Sequence, residues 1–183
     1  MSGIKWLLSI LILILLSCTD GSMIRKDDPA AILPEEGKSK IVIIRNKTYG
    51  FLVVNNVYLE HKLIGRTSVR SYFSYVTEPG TRYIFTGNNK EGENIKYRTT
   101  RFHFKPGKVY YLENRPVPDE TFVLLPLSVE SFERYARVSR YNSLRDDIID
   151  SIDVDIDSLK AVYLQELQDD PDRHADNENY EGY

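Results

Sequence analysis

One side chain in 183 residues is a thiol, Cys18, and it closes the apolar run LILILLSC. A thiolate is a good nucleophile for alkylation, and a chain with no second cysteine has no internal disulfide to form. The other groups able to do chemistry are scattered. The three histidines, His61, His103 and His174, fall in a hairpin turn, on a strand and in the C-terminal tail. They make neither a His-x-x-x-His zinc pair nor a Cys–His site. A Gly-x-Ser-x-Gly nucleophile elbow is missing, as is a glycine loop that could cradle phosphate. A Ser-His-Asp triad stays open, because its members need not be neighbours in sequence. His103, in RFHF, reads as a half-buried strand residue rather than a base. Asp153, Asp155 and Asp157 in DVDIDS stand at alternate positions, as a calcium loop begins. Such a loop also needs Gly at its sixth place and Glu at its twelfth; here these are Ser158 and Leu164. The residues therefore point away from catalysis, and no metal or cofactor is expected.

The elements around Cys18 give it a different task. Trp6 to Leu16 is apolar except for Ser9 and follows a short start carrying Lys5. As a helix it reaches about 16 Å, half of the roughly 30 Å hydrocarbon thickness. This is the layout of a secretory signal, assigned to residues 1–17, rather than of a membrane span. Its end, Leu15-Leu16-Ser17-Cys18, resembles the lipobox of bacterial lipoproteins. The resemblance implies cleavage between Ser17 and Cys18, a diacylglyceryl group on the Cys18 thiol and acylation of the new amine. Two or more acyl chains anchor a protein stably where one does not, at about 0.8 kcal/mol per buried CH₂. The competing reading is a free cysteine at the end of an uncleaved anchor helix. Thr19 follows Cys18 and Asp20 comes one place later. In well-studied Gram-negative lipoproteins an Asp directly after the cysteine favours the inner membrane, so the resemblance implies the outer membrane.

Residues 18–37 are rich in charge, Pro and Gly without periodicity and read as a flexible tether with a mean reach of roughly 25 Å. From 38 to 127 short β-branched and aromatic runs alternate with turn signals. SKIVIIRN, FLVVNNVYLE, KLIGRT, SYFSYVT, TRYIFTG, IKYRTTRFHF, KVYYLENR and ETFVLLPL make about eight strands. TRYIFTG is expected to pair back on SYFSYVT across EPG, and IKYRTTRFHF to follow the polar loop NNKEGEN. The expected architecture is mainly β, a small antiparallel sandwich of two packed sheets.

YLEHKLIG, SYFSYVTEPGTRYIF and FHFKPGKVYYL resemble the hairpin, Pro-Gly corner and Gly-Lys-x-Tyr-Tyr strand of a bacterial lipoprotein domain of unknown function, akin to PEGA-type, Ig-like sandwich modules. The resemblance covers residues 38–127 and implies a fold without implying an activity. Glu60-His61 stands where that hairpin usually has Asp-Gly.

Residues 128–170 turn helical and are expected to form one or two C-terminal helices. Ser128 is the expected N-cap of VESFERYARVSRY, with Phe132, Tyr135, Ala136 and Ser139 on one face. Ser143-x-x-Asp146 is the expected start of a second helix, whose stripe runs through Ile149, Ile152, Ile156, Leu159, Tyr163 and Leu167 to the stop at Asp170-Pro171. That stripe is expected to pack within the chain; the alternative is a second protein. Residues 171–183 read as a disordered acidic tail. Charge is divided: residues 18–142 carry 20 basic and 14 acidic side chains, and residues 143–183 carry 3 and 13. The acidic segment therefore either covers the basic body, meets a basic envelope partner or is simply solvated.

The expected function is that of a non-enzymatic lipid-anchored envelope protein, acting as a structural, accessory or protein-interaction module. An alternative is a ligand-binding module, with the aromatic and basic strands IKYRTTRFHFK and SVRSYFSYV taking glycan or anionic lipid head groups. A hydrolase comes third. The export signal sets nucleic acid aside as a partner.

Overall fold

The computed structural model describes residues 23–26, 33–48, 53–88, 96–117, 121–148, 155–170, 172, 177 and 179–183. Ser17, Cys18, the apolar run before them and His174 lie outside the described residues, as do Ile149, Ile152 and Asp153.

The chain is mainly β, with two sheets and two helices. The strands are β1 Met23–Lys26, β2 Ser39–Arg45, β3 Asn55–Leu59, β4 Lys62–Thr67 and β5 Ser71–Thr77. They continue with β6 Gly80–Asn88, β7 Tyr97–Phe104, β8 Val109–Pro116, β9 Phe122–Pro126 and β10 Arg140–Leu144. Helix α1 is Val129–Ala136 and helix α2 is Ile156–Asp169. One sheet has the order β1-β10-β5-β2-β8-β9 and the other β4-β3-β6-β7. Among the described residues no helix is long and apolar enough to cross a membrane.

The period of two in each strand sorts side chains between the faces. Ile41 and Ile43 of β2, Phe73 of β5, Tyr110 and Leu112 of β8 and Leu124 of β9 turn inward. There they meet Val57, Ile64, Ile84, Phe102 and Phe104 from the other sheet, all nearly free of solvent. This shared core holds the sheets face to face. At one end a polar cluster replaces it: Asn114 of β8 donates to Asn55 Oδ1 (2.7 Å) and Thr67 Oγ1 (2.8 Å) across the gap. Arg45 is buried there, its Nη1 donating to the Val53 carbonyl at 2.6 Å and its guanidinium 4.6 Å from the centre of the Phe122 ring. Burial pushes Arg45 down to about 10, so it still carries its charge at neutral pH.

Each outer face is covered by a helix. Ser128 caps α1 as expected, its hydroxyl accepting from Ser131 N at 3.2 Å. Phe132 anchors α1 on the six-stranded sheet. Asp155 caps α2, accepting from the amides of Asp157 and Ser158. Ile156 and Tyr163 are the buried residues of α2, and Ile156 and Leu159 join Tyr58, Leu63 and Phe85 on the four-stranded sheet. Those three members of the expected stripe therefore pack within the chain.

Several expectations are corrected. The sandwich is not purely antiparallel, since β2 pairs parallel with β8 and β10 parallel with β5. Strands β5 and β6 do not form a hairpin. The Pro79-Gly80 corner, with Gly80 at φ +118°, passes the chain from one sheet to the other, as the Pro106-Gly107 corner does between β7 and β8. Within the expected tether, Met23–Lys26 is a strand paired along β10. Within the expected helical segment, Arg140–Leu144 is a strand, so Ser143 is no N-cap and the second helix opens at Ile156.

The tail expected to be disordered is ordered at its end. Strand β9 covers β8 only from Leu112 to Pro116. Beyond it, Tyr183 exchanges both backbone hydrogen bonds with Val109 at 2.8 Å, and the Tyr180 hydroxyl accepts from Tyr111 N at 3.1 Å. The C-terminus thus completes an edge that would otherwise expose backbone groups.

Candidate functional site

Of the expected chemical residues (Cys18 and the three histidines), His61 and His103 are the ones that fall among the described residues. His61 lies exposed in the β3–β4 turn, while His103 is exposed on β7 and pairs with Thr81 Oγ1 at 3.1 Å. Among the described residues no three His, Cys, Asp or Glu side chains could hold a metal ion. Asp155, the described middle member of the calcium-like run after Asp153, is spent on its helix cap, with Ser158 Oγ 2.6 Å from its Oδ2. That cap and the Ser158 hydroxyl hold its carboxyl below the ordinary range.

The aromatic and basic strands are also largely spent. Phe102 and Phe104 of β7 are in the core, Tyr97 meets Tyr58 edge-on at 6.2 Å, and Arg101 lies over Tyr163 of α2 at 5.9 Å. The Glu60-His61 turn has a use of its own. Glu60 takes a left-handed conformation (φ +51°), and its carboxylate accepts from Tyr83 N at 2.9 Å and from Lys160 Nζ of α2 at 2.6 Å.

A roomier concave surface lies elsewhere, between α1 and the outer face of the six-stranded sheet. Strand register places Ser74, Val42 and Tyr111 in one row on that face, and Tyr141, Tyr72 and Ile44 in the next. Phe132 rests on them, its ring centre 4.5 Å from that of Tyr111 and 5.6 Å from that of Tyr72. Beside Phe132 is a cavity of about 470 Å³. Val42, Tyr72 and Tyr111 line its sheet side, and Phe132 and Ala136 its helix side.

Polar groups converge on it. Lys40, one pleat from Val42, lines the cavity and is only 4% exposed, and this burial lowers its pKa. Tyr141 and Ser74 share a hydroxyl hydrogen bond of 3.0 Å. Glu133 and Arg137, exposed on α1, edge the opening. Burial raises Tyr72 and Tyr111, with Tyr141 adding to the first and the Glu133 charge to the second. Both phenols are therefore neutral donors at pH 7. A smaller cavity of about 240 Å³ lies under α2 against β7 and β9.

Chemically the larger cavity can bind: it offers apolar walls, hydroxyls and a buried ammonium. The signal for it in the sequence was slight. Period two marks Tyr72 and Tyr111 as facing away from Phe73 and Tyr110, yet Lys40 reads as a solvent lysine until α1 is laid over it. No family model matches the sequence, no curated protein matches it, and no solved structure matches the chain.

Proposed function

We propose that this chain is a non-enzymatic, lipid-anchored protein of a bacterial cell envelope that acts by binding, as a structural, accessory or interaction module. The observation that carries the reading is the spacing between lipobox and fold. Cys18 ends the LLSC sequence, and β1 begins at Met23, five Cα steps later. The sandwich therefore starts at once where the lipid would be attached. The strand pattern suits an Ig-like sandwich extended by β1 and β10, and Thr19 after Cys18 favours the outer membrane. A protein partner would meet α2, whose exposed residues include Val162, Leu164, Asp157 and Asp169.

The intact mass of membrane-extracted protein, measured beside Cys18→Ala, tests the anchor. A mass starting at Cys18 with two or three acyl chains, lost in the variant, is expected. A full-length unlipidated mass would remove the basis of the envelope reading. The α1 cavity favours a second reading, a small-ligand binding module, with the site moved from the exposed strand face to the space beneath the helix.

A further inference from the structure

We infer that the cavity beneath α1 is a binding site for an uncharged aromatic carbonyl compound, whose rings lie against Val42, Phe132 and Ala136 and whose oxygen accepts a hydrogen bond from Tyr72 or Tyr111. The inference deepens the ligand-binding reading and rests on it.

Three observations carry it. The first is shape. About 470 Å³ falls within the range of small-molecule sites, which are concave, mostly apolar and set with a few convergent polar groups. Much of the wall is aromatic, from Phe132, Tyr72, Tyr111 and Tyr141, and ring against ring gains more than the buried area alone. The second is a pair of unused hydroxyls. Tyr72 is 8% exposed and Tyr111 4%, and both line the cavity. The Ser74 and Tyr141 hydroxyls there bond to each other. Those of Tyr72 and Tyr111 have no hydrogen-bond partner among the described residues, although a tyrosine buried this far ordinarily finds one. A phenol donates better than it accepts, because its oxygen shares a lone pair with the ring, and burial keeps both groups protonated. What they lack is an acceptor, and a carbonyl oxygen supplies one without adding a donor or a charge.

The third is charge balance. Lys40 lines the cavity but already has an interaction partner within the chain, so it offers no unmet charge. Glu133 and Arg137 stand exposed at the opening, four residues apart and opposite in sign. The charges of the lining are thus matched or balanced, and an ion buried there without a partner would be costly. A neutral hydrocarbon would escape that cost but leave both phenols unanswered. An uncharged ring bearing a carbonyl meets both conditions.

The test uses the full chain and benzophenone, an uncharged diaryl ketone that crosslinks on irradiation, beside its anionic analogue 4-benzoylbenzoate. Labelled peptides are mapped by mass spectrometry in wild type, Tyr72→Phe, Tyr111→Phe and Ala136→Trp, each first checked for an unchanged melting profile. Benzophenone is expected to label α1 and β2 in a saturable way. The anion should label them about tenfold less, because its carboxylate would be buried without a partner. At least one Tyr→Phe variant, which keeps the ring and loses the donor, should raise the half-saturating concentration of benzophenone about fivefold. Ala136→Trp should block labelling by filling the space. Equal labelling by ketone and anion, or no change in either Tyr→Phe variant, with labelling still blocked by Ala136→Trp, would overturn the carbonyl assignment and leave the ligand reading standing. Labelling absent from α1 and β2, or indifferent to Ala136→Trp, would overturn both.

Discussion

Phe132 shows how much of this molecule depends on single aromatic rings. It is 6% exposed, touches Tyr72 and Tyr111, and is the buried residue of α1. Truncation leaves a hole that an eight-residue helix on a rigid sheet cannot close. Phe132→Ala should lower stability by about 3 kcal/mol, read as a lower urea midpoint with unchanged slope. A loss below about 1 kcal/mol would mean that α1 docks by other contacts. Tyr180 makes a different demand. Burial raises its pKa, only partly offset by the hydrogen bond from Tyr111 N. The fold therefore favours the neutral phenol. Its contribution is fully present below the unfolded value of about 10, and it is lost as pH climbs above that toward the folded value. Tyr72, Tyr110 and Tyr111 shift the same way. Stability should fall with pH above about 10, and Tyr180→Phe should make that fall shallower while costing about 1 kcal/mol at pH 7 for the lost hydrogen bond. Identical slopes for the two proteins would place the alkaline sensitivity elsewhere.

At the scale of elements, the C-terminal segment is the least expected piece. Removing residues 179–183 uncovers the backbone groups of Val109 and Tyr111 at the edge of a six-stranded sheet. Amide exchange at Val109 and Tyr111 should speed up far more than at Ile43 in β2, and the truncated protein should self-associate at high concentration. Glu181→Ala, which removes only the exposed pair with Lys105, should do neither. The composition of NENYEGY reads as disorder because most of it is polar; two tyrosine anchors and a glycine at φ +69° hold residues 179–183 nonetheless. Gly182 is needed there, since a Cβ would sit 2.9 Å from the Tyr110 ring. Other elements were easier to read. SKIVIIR and KVYYLE have the composition of buried strands, and Ser128 marks its helix. Strand direction was not readable, because a period-two pattern is the same forwards and backwards; β2 and β8 meet as parallel neighbours only after the chain has passed through the other sheet and back. Strand β10 was hidden because RYNSL buries a single residue, Tyr141, and Ser143-x-x-Asp146 imitates a helix cap. The cavity was partly legible in the outward tyrosines, but its roof was not.

At the scale of the whole molecule, β1 changes how the protein would stand on a membrane. A free tether of 19 residues would hold the fold at a mean of roughly 25 Å. With β1 paired to β10, only the chain between Cys18 and Met23 is left, at most roughly 17 to 18 Å when fully extended. Register would then set which end faces a lipid carried on Cys18. Met23 lies opposite Leu144, and the pairings of β10 with β5 and of β5 with β2 carry that level to the end where β2 and β8 begin. The β7–β8 corner is there, with Lys105 and Lys108, as is Tyr183 bound to Val109. An anionic leaflet favours such lysines by about 1 kcal/mol each near its surface. Neutron reflectometry of the lipidated protein on a supported bilayer should therefore find protein density beginning within about 20 Å of the head groups. A flexible Gly-Ser insert of about 20 residues placed before Met23 should move that density outward by roughly 25 Å. Trypsin should cut after Lys108 more slowly in the native protein than in the insert variant, since a fold held that close would have this corner shielded against the bilayer. If the native density already stands off by 25 Å and the insert changes nothing, β1 is not held in the sheet on the membrane. The short link from lipid to fold, which supports the anchored reading, would then have no mechanical consequence.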